Sequence, residues 1–300
     1  MMQLDELLGT TLRLNASVEA LAAVAALLRS QTEPIALPTD VQGPIRRVVE
    51  ALGLGEIDSL PVRQRAAVLG AIRAYFLQAA ELMEHPGREP GWAYEDPLIL
   101  QSQGQGSRAV VAVLASVITK LDGLADRLGN PGSAFLDIGT GVGLLAIEMC
   151  SAHPSLSAVG IDVWEPALVL ARKNVAVAGM AGRIDIRRED ATAIADRDRF
   201  DLAWIPGPFL PATIVPAVAA NVRMALKPGA WALLGLYASP PDPLAVALNE
   251  LRIVRSGGYP WNPNAACRLL TDAGLTHVHV VERTWNAPVL FIVGRKGATP

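Results

Sequence analysis

The sequence has little cysteine, little histidine and no strong excess of either charge. Two cysteines among 300 residues are too few for a disulfide scaffold, and Cys150 and Cys267 lack the spacing of a zinc-binding pair. The four histidines are scattered, so the sequence predicts no metal site. A net charge of −3 offers no basic surface for a phosphate backbone, which argues against nucleic acid as the main partner.

The sequence is also expected to lack a membrane-spanning run and an N-terminal targeting signal. No run is judged to reach the roughly 20 apolar residues of a membrane span, and Asp5 and Glu6 stand where a signal peptide would be basic. Hydrophobic residues make up 51% of the chain and charged residues 18%, which is ample for a buried core. The sequence therefore predicts a soluble, cytoplasmic protein that does not bind a membrane.

Two regions of different pattern follow one another along the chain. The first hundred residues are predicted to be mainly helical, and a linker-like stretch, 86–106, that is rich in proline, glycine and glutamine follows the last of these helices. From residue 133, short apolar strands alternate with helices, which is typical of a parallel sheet with helices on both faces. Two final runs, 277–282 and 288–293, are predicted to form a hairpin, so the sheet should end with an antiparallel strand.

The most informative segment is a turn with three alternating glycines. Ala134–Ile138 is predicted to be an apolar strand that contains Asp137, and Gly139, Gly141 and Gly143 lead from it into a helix. Glycine permits a tight turn and lets a ligand approach the backbone closely, and the helix N-terminus offers unpaired amide groups. Because ligands of open α/β sheets bind beyond the carboxyl ends of the strands, this segment predicts a ligand site.

Acidic residues also follow the next two strands. Asp162 ends the second strand, where a carboxylate can accept hydrogen bonds from both ribose hydroxyls of an adenosine. Asp190 and Ala191 follow the third strand, where an acid and a backbone amide can bind an adenine edge. The alternatives to adenine binding by Asp190 are that Glu189 takes this role or that Asp190 is simply a surface residue. Together with the glycine turn, these positions predict a bound adenosine.

Two cofactors compete for such a turn. A dinucleotide-binding fold has the pattern G-x-G-x-x-G with a pyrophosphate at the helix N-terminus, whereas this chain has G-x-G-x-G and Leu144 where the last glycine would stand. Asp137 would repel a pyrophosphate but would attract an ammonium or sulfonium group, and S-adenosylmethionine carries both. The charges therefore favour S-adenosylmethionine over a nicotinamide dinucleotide.

On these motifs, residues 133–294 resemble a class I S-adenosylmethionine-dependent methyltransferase. Phe135–Gly143 is similar to the first motif of that family, Asp162 to its ribose-binding acid and Asp190 to its adenine-side acid. The segments similar to its fourth strand and to its turn into the fifth strand are Phe200–Trp204 and Leu226–Ala230. The resemblance implies an α/β fold with a Rossmann-like seven-stranded, mostly parallel sheet, an antiparallel last strand and an N-terminal helical domain.

The resemblance also implies a division of roles and a reaction. Residues 1–105 would cover the substrate, and residues 106–300 would bind the cofactor. A methyl group would pass from S-adenosylmethionine to a small organic acceptor, leaving S-adenosylhomocysteine. The residues implied for cofactor binding are Asp137, Gly139, Thr140, Gly141, Gly143, Asp162, Val163, Asp190, Ala191, Ile205 and Pro206.

The loop after the fourth strand bears on the acceptor atom. Amino-group methyltransferases that act on nucleobases or glutamine often have Asn-Pro-Pro-Tyr or Phe there, whereas this chain has Pro206-Gly207-Pro208-Phe209. Proline has neither a side-chain amide nor a backbone N–H, so oxygen is favoured over nitrogen or carbon as the acceptor atom. No general base is evident, and the candidates, for each of which packing or capping is the simpler role, are His85, Tyr94, Tyr237 and Tyr259.

Two alternative functions stay open at this point. One is a methyltransferase-like protein without activity that binds the cofactor as a sensor or scaffold. The other is an NAD-dependent oxidoreductase, which the missing final glycine and Asp137 oppose. Gln101, Gln103 and Gln105 could contact the methionine end of the cofactor or form a hinge. The sequence leaves the acceptor and the oligomeric state open, a homodimer included.

Overall fold

The chain forms two compact units. The computed structural model describes residues 4–238 and 242–298, apart from the side chains of residues 108 and 109. The first unit is Met1–Glu84 and the second is His85–Pro300. Each unit has its own hydrophobic core, as expected of a compact folding unit.

The boundary between the units differs from the one predicted between residues 105 and 106. It lies after Glu84, because one helix, Pro97–Ile118, runs across the predicted boundary without a break. The second part of the stretch predicted to be a linker, from Pro97 onward, is therefore helical. The covering role expected of residues 1–105 stays a prediction.

Three helices form the described part of the first unit. They are α1 (Leu4–Thr32), α2 (Thr39–Ala51) and α3 (Val62–Glu84), with a short 3₁₀ turn at Ile57–Ser59 between the last two. Their core is small and aliphatic, and its buried members are Val24, Leu27, Leu28, Val49, Ile57, Leu69 and Ile72.

The prediction that no apolar run approaches the length of a membrane span is wrong for helices α1 and α3. Both are long and apolar enough to cross a membrane when only length and composition are considered. Helices in the cores of soluble proteins and signal sequences share these two properties, so they assign no location to the chain. The first part of α1 also exposes several large aliphatic side chains, namely Leu4, Leu7, Leu8, Leu12, Leu14, Val18 and Leu21.

A seven-stranded sheet forms the centre of the second unit, with the strand order β3-β2-β1-β4-β5-β7-β6. In chain order the elements are α4 (Pro97–Ile118), α5 (Leu124–Gly129), β1 (Ala134–Ile138), α6 (Leu144–Ala152), β2 (Ser157–Asp162), α7 (Glu165–Val177), β3 (Ile184–Arg188), β4 (Phe200–Pro206), α8 (Val215–Ala225), β5 (Leu226–Tyr237), α9 (Pro243–Arg255), α10 (Pro263–Asp272), β6 (Thr276–Val280) and β7 (Val289–Arg295). Strand β7 pairs antiparallel with β5 and β6, whereas the pairings among β1 to β5 are parallel. The predicted sheet and its antiparallel last strand are confirmed.

The order of the strands fixes where a ligand can bind. Strand β1 lies between β2 and β4, so successive connections leave β1 toward opposite edges of the sheet. At such a point the loops at the carboxyl ends separate and open a crevice. One face of the sheet packs against α4 and α6, and the other packs against α8 and α10. These layers leave the carboxyl ends of β1, β2 and β4 as the place for a site.

Helix α4 begins earlier than the composition predicts. The Asp96 carboxylate caps the helix by accepting a hydrogen bond from the backbone N–H of Leu98 at 2.7 Å, and Pro97 occupies the first turn, where its missing N–H costs nothing. Gly104 lies inside the helix at a place where a Cβ would overlap the side chain of Val142. The glycine therefore serves close packing, which outweighs its poor helix propensity. Helix α9 was also not predicted.

Candidate active site

The three glycines of the turn after β1 all have backbone angles that favour glycine. Their φ angles are 62° at Gly139, 54° at Gly141 and 78° at Gly143, a region that side chains rarely adopt. A Cβ at Gly139 would lie 3.0 Å from Pro206 Cγ, and one at Gly143 would lie 3.3 Å from the Cβ of Ala171. At Gly141 the nearest atom would be 4.0 Å away. The middle of the turn therefore borders open space that can accept a ligand.

Asp162 joins the end of β2 to this turn. One carboxylate oxygen accepts a hydrogen bond from the backbone N–H of Gly141 at 2.9 Å, and the other accepts one from the backbone N–H of Trp164 at 2.9 Å. Burial raises the pKa of Asp162, while these backbone bonds oppose the shift. A carboxylate has about four acceptor positions, so capacity remains for ribose hydroxyls. The predicted ribose-binding acid thus lies beside the glycine turn.

Asp137 lies beneath the turn rather than on its open side. Its residue is 1% exposed, and its carboxylate accepts a hydrogen bond from the Thr140 hydroxyl at 2.7 Å. Gly160 of β2 makes room for that hydroxyl, because a Cβ at Gly160 would lie 2.6 Å from Thr140 Oγ1. The side chain of Thr140 is thereby held between two strands. Asp137 can act on a ligand through its charge and through its hydrogen bond to the turn.

The electrostatics of Asp137 fit a cationic ligand. Burial raises the pKa of Asp137 to about 7, the bond from Thr140 opposes this shift, and the charge of Asp162 adds to it. Among the groups of the described chain that lower this pKa, none is a basic side chain. A buried carboxylate is costly without a partner charge, and a bound sulfonium or ammonium group would supply one.

We expect the binding of S-adenosylmethionine to weaken below about pH 7. The folded pKa of Asp137 is about 7 against a usual 3.8, so at lower pH the carboxyl must lose a proton before it can attract a cation, and affinity falls by up to about tenfold per pH unit. Calorimetric titrations between about pH 5.5 and pH 8 measure this slope.

The matched control for this pH dependence is Asp137→Asn, which should bind more weakly with a nearly flat profile. The folding stability of the unliganded protein should depend on pH with the opposite sign: it should fall, and not rise, as the pH increases. A raised folded pKa means that the unfolded chain ionises first, so the contribution of Asp137 to stability is lost as the pH rises from its usual pKa to about 7. If the affinity of the unmodified protein and that of Asp137→Asn changed with pH by the same slope, Asp137 would not be the titrating group.

The adenine side of the predicted site is built on a short 3₁₀ turn, Ala191–Ala193. Asp190 is exposed, and one of its carboxylate oxygens accepts hydrogen bonds from the backbone N–H and the hydroxyl of Thr192, both at 2.8 Å. Asn221 of α8 donates to the Thr192 carbonyl at 2.7 Å. Asp190 therefore caps the turn, and its contact with adenine stays a prediction. The backbone N–H of Glu189 donates to the Asp162 carbonyl at 3.0 Å, which keeps the two acidic loops adjacent.

The end of β4 lies against the glycine turn on the side away from β2. Ile205 and Pro206 are buried, and Pro206 packs against Gly139 as described above. Val163, beyond Asp162, is 58% exposed. The structure thus brings the glycine turn, Asp162 and Pro206 together at the carboxyl ends of three neighbouring strands.

Aromatic side chains lie next to these strand ends. The ring of Trp92 contacts Tyr94 and Phe209 edge-on, with ring centres 5.0 and 5.5 Å apart. Trp164 Nε1 donates to the Tyr94 carbonyl at 2.7 Å, which fixes Tyr94 beside the residues that follow Asp162. These rings are half-buried. Among the four candidate bases, Tyr94 lies in this aromatic cluster, and its backbone carbonyl accepts the bond from Trp164.

The other three candidate bases lie on different segments of the second unit. His85 is exposed at the start of the second unit, and Tyr237 ends β5 opposite Val289. Tyr259 is 49% exposed and packs edge-on against Trp261. Gly258 lies so close to the Pro208 carbonyl that a Cβ would overlap its oxygen, so the segment of Tyr259 contacts the loop after β4. The base stays unassigned.

The fold and the site together define an α/β protein with a candidate ligand site at the carboxyl ends of its strands, and comparisons specify it further. The methyltransferase domain family matches residues 135–229. A ubiquinone biosynthesis O-methyltransferase of Hahella chejuensis is 33% identical over 184 residues, which cover 56% of this chain and 73% of that protein. A release factor glutamine methyltransferase of Cereibacter sphaeroides is 34% identical over 107 residues, which cover 34% of this chain and 38% of that protein.

A solved structure shows the same fold over the full length. Human N-acetylserotonin methyltransferase in complex with S-adenosylmethionine superposes with a TM-score of 0.65 at 16% identity, covering 99% of both chains. The chain belongs to the class I S-adenosylmethionine-dependent methyltransferases. The cofactor of this class is S-adenosylmethionine, which the open side of Gly141 and the carboxylates of Asp137 and Asp162 fit. The match with the release factor enzyme spans well under half of that protein, so its substrate does not carry over.

Proposed function

We propose that this protein methylates an oxygen atom of a small, uncharged organic acceptor. The observation that carries the proposal is the lining of the cleft at the end of β4, where Pro206 packs against the glycine turn and half-buried aromatic rings follow. S-adenosylmethionine supplies a methyl group on a positively charged sulfur, and the acceptor oxygen takes that methyl and gives up its proton.

The cofactor side of the proposal rests on Asp162 and the turn. Asp162 holds Gly141 by its backbone N–H and keeps acceptor capacity for the ribose, while the buried charge of Asp137 favours a cation above about pH 7. The first turn of α6 adds amide groups at the helix N-terminus. These groups bind and orient, and orientation is the main contribution that an enzyme can make to transfer from an already activated donor.

The acceptor side of the proposal rests on what lines the loop after β4. Pro206 cannot hold an amide or an exocyclic amine with a side-chain hydrogen bond. Trp92, Tyr94 and Phe209 offer aromatic surface, and a largely apolar lining with a few polar groups is typical of sites for small molecules. An uncharged acceptor with a hydroxyl group fits such a lining better than a polar amide, which would lose hydrogen bonds there.

A panel of acceptors tests the proposed function. The protein is incubated with methyl-labelled S-adenosylmethionine and with phenols, enols, carboxylic acids, amines and a glutamine-containing peptide. We expect label in a methyl ether together with S-adenosylhomocysteine, and label only in methyl esters would overturn the choice of an uncharged acceptor. Label only in amines or in the glutamine amide would overturn the choice of oxygen. Tight binding of S-adenosylhomocysteine without turnover on any acceptor would favour the non-catalytic scaffold.

Replacing Phe209 with alanine is expected to lower kcat/KM for the acceptor by about tenfold, because it removes a half-buried ring that packs on Trp92. The affinity for S-adenosylhomocysteine should not change, and calorimetry on the same preparation provides that control. A variant with unchanged kcat/KM would place the acceptor elsewhere.

A further inference from the structure

Two side-chain amides connect the helices that flank the glycine turn. Gln101 of α4 donates from Nε2 to Asn174 Oδ1 of α7 at 3.1 Å, and Asn174 Nδ2 donates to Gln101 Oε1 at 3.2 Å. Asn174 Nδ2 also donates to the carbonyl of Val142 at 2.8 Å. Val142 stands between Gly141 and Gly143 in the turn. The pair therefore reaches the turn from outside the cleft.

The Val142 carbonyl belongs to a peptide group that is fixed at both ends. The N–H of the same peptide group is that of Gly143, and it donates to the Thr140 carbonyl at 2.9 Å. With Asn174 holding the oxygen, the peptide plane cannot rotate without breaking two hydrogen bonds. Glycine has more backbone freedom than any other residue, so the turn depends on such outside contacts for a single conformation.

Helix α4 holds the same residue by packing. Val142 is 3% exposed, and its side chain occupies the space that a Cβ of Gly104 would need. Gly104 is three residues beyond Gln101, so both face the turn from neighbouring positions of one helix. Gln101 is therefore not part of a hinge, and it lies where it orients Asn174.

We propose that Asn174, oriented by Gln101, is a positioning residue for the cofactor: it holds the glycine turn in the conformation that binds S-adenosylmethionine. The proposal rests on the proposed function for the presence of that cofactor. Asn174 acts through Val142 and touches no reacting group. A preorganised turn avoids the ordering cost that a mobile one would have to meet at binding.

Calorimetry with S-adenosylhomocysteine tests the proposal on the full chain. Asn174→Leu removes the donor while keeping a similar volume, and we expect the Kd to rise about tenfold, the value of one hydrogen bond that fixes a binding loop. Gln101→Met should raise the Kd about threefold, and adding it to Asn174→Leu should have little further effect because the two side chains act as one unit. Additive losses would overturn the shared role.

The control variant is Ser133→Ala. Ser133 is also a side chain that donates to a carbonyl, that of Leu128 at 3.0 Å, but it lies before β1 at the opposite end of the sheet. We expect a lower melting temperature without a change in Kd. If Asn174→Leu stays folded and binds as tightly as the unmodified protein, or if Ser133→Ala loses as much affinity, the positioning role is overturned.

Hydrogen exchange of the Gly143 amide separates this proposal from the proposed function. We expect faster exchange in Asn174→Leu than in the unmodified protein or in Ser133→Ala, without any ligand present. Equal exchange rates would show that Asn174 does not hold the turn. If the unmodified protein fails to bind S-adenosylhomocysteine, the proposed function and the cofactor role of Asn174 are both overturned, whatever the exchange result.

Discussion

Replacing Asp162 with alanine is expected to weaken binding of S-adenosylmethionine and S-adenosylhomocysteine by at least about a hundredfold. The carboxylate now accepts hydrogen bonds from the backbone N–H groups of Gly141 and Trp164, and it retains acceptor positions for the ribose. Charge-assisted bonds of this kind contribute about 1.5–3 kcal/mol each. The variant would lose two such bonds between the carboxylate and the ribose hydroxyls. It would also release the glycine turn, and the two effects together give the predicted factor.

Calorimetry with S-adenosylhomocysteine measures this effect. Asp162→Asn keeps the shape and one acceptor oxygen, so it should lose less affinity than the alanine variant. Asp185→Ala is the matched control, because Asp185 is an exposed acid of β3 that pairs with Arg187. Affinity unchanged by Asp162→Ala would remove the assignment of Asp162 to the cofactor site.

Replacing Asp201 with alanine is expected to cost about 3 kcal/mol of folding free energy. The side chain of Asp201 is 5% exposed, and one oxygen accepts bonds from the backbone N–H of Ala134 at 3.0 Å and from Lys227 Nζ at 2.6 Å. The other oxygen accepts a bond from Arg127 at 3.3 Å. Removing the acid leaves two cations and one buried amide without this acceptor.

We place the loss at the low end of the usual range for a broken buried ion pair, about 3–5 kcal/mol. The side chains of Lys227 and Arg127 are 31% and 30% exposed, so water partly replaces the lost bonds. Urea denaturation measures the change, and Asp201→Asn, which keeps two acceptor contacts without the charge, should lose less. Since Asp201 stands near the amino end of β4, the folded variant should bind S-adenosylhomocysteine normally.

The sheet and the position of Asp162 could be predicted from the sequence because both depend on local pattern. Apolar runs that alternate with helices predict parallel strands, and an acid that directly follows a strand must lie at its carboxyl end. The glycine pattern added the turn. These features depend on residues that are close in sequence, which explains why the structure has them where they were expected.

Contacts between distant segments could not be predicted in the same way. The glycines of α4 indicated a linker, since nothing in the sequence shows that Gly104 meets Val142. The same limit hid the bond from Asn174 to Val142 and the packing that buries Asp137. The cap formed by Asp190 is local, and an Asp followed by Thr192 at a turn could have indicated it.

The narrow space between Gly160 and Thr140 has a consequence for the history of the family. Because a methyl group at position 160 would collide with the threonine hydroxyl, we expect the two positions to coevolve. Homologues that acquire alanine or serine at position 160 should carry alanine or glycine at position 140. Such lineages would have lost the hydroxyl that bonds the acid of β1 and would need a different donor to satisfy it.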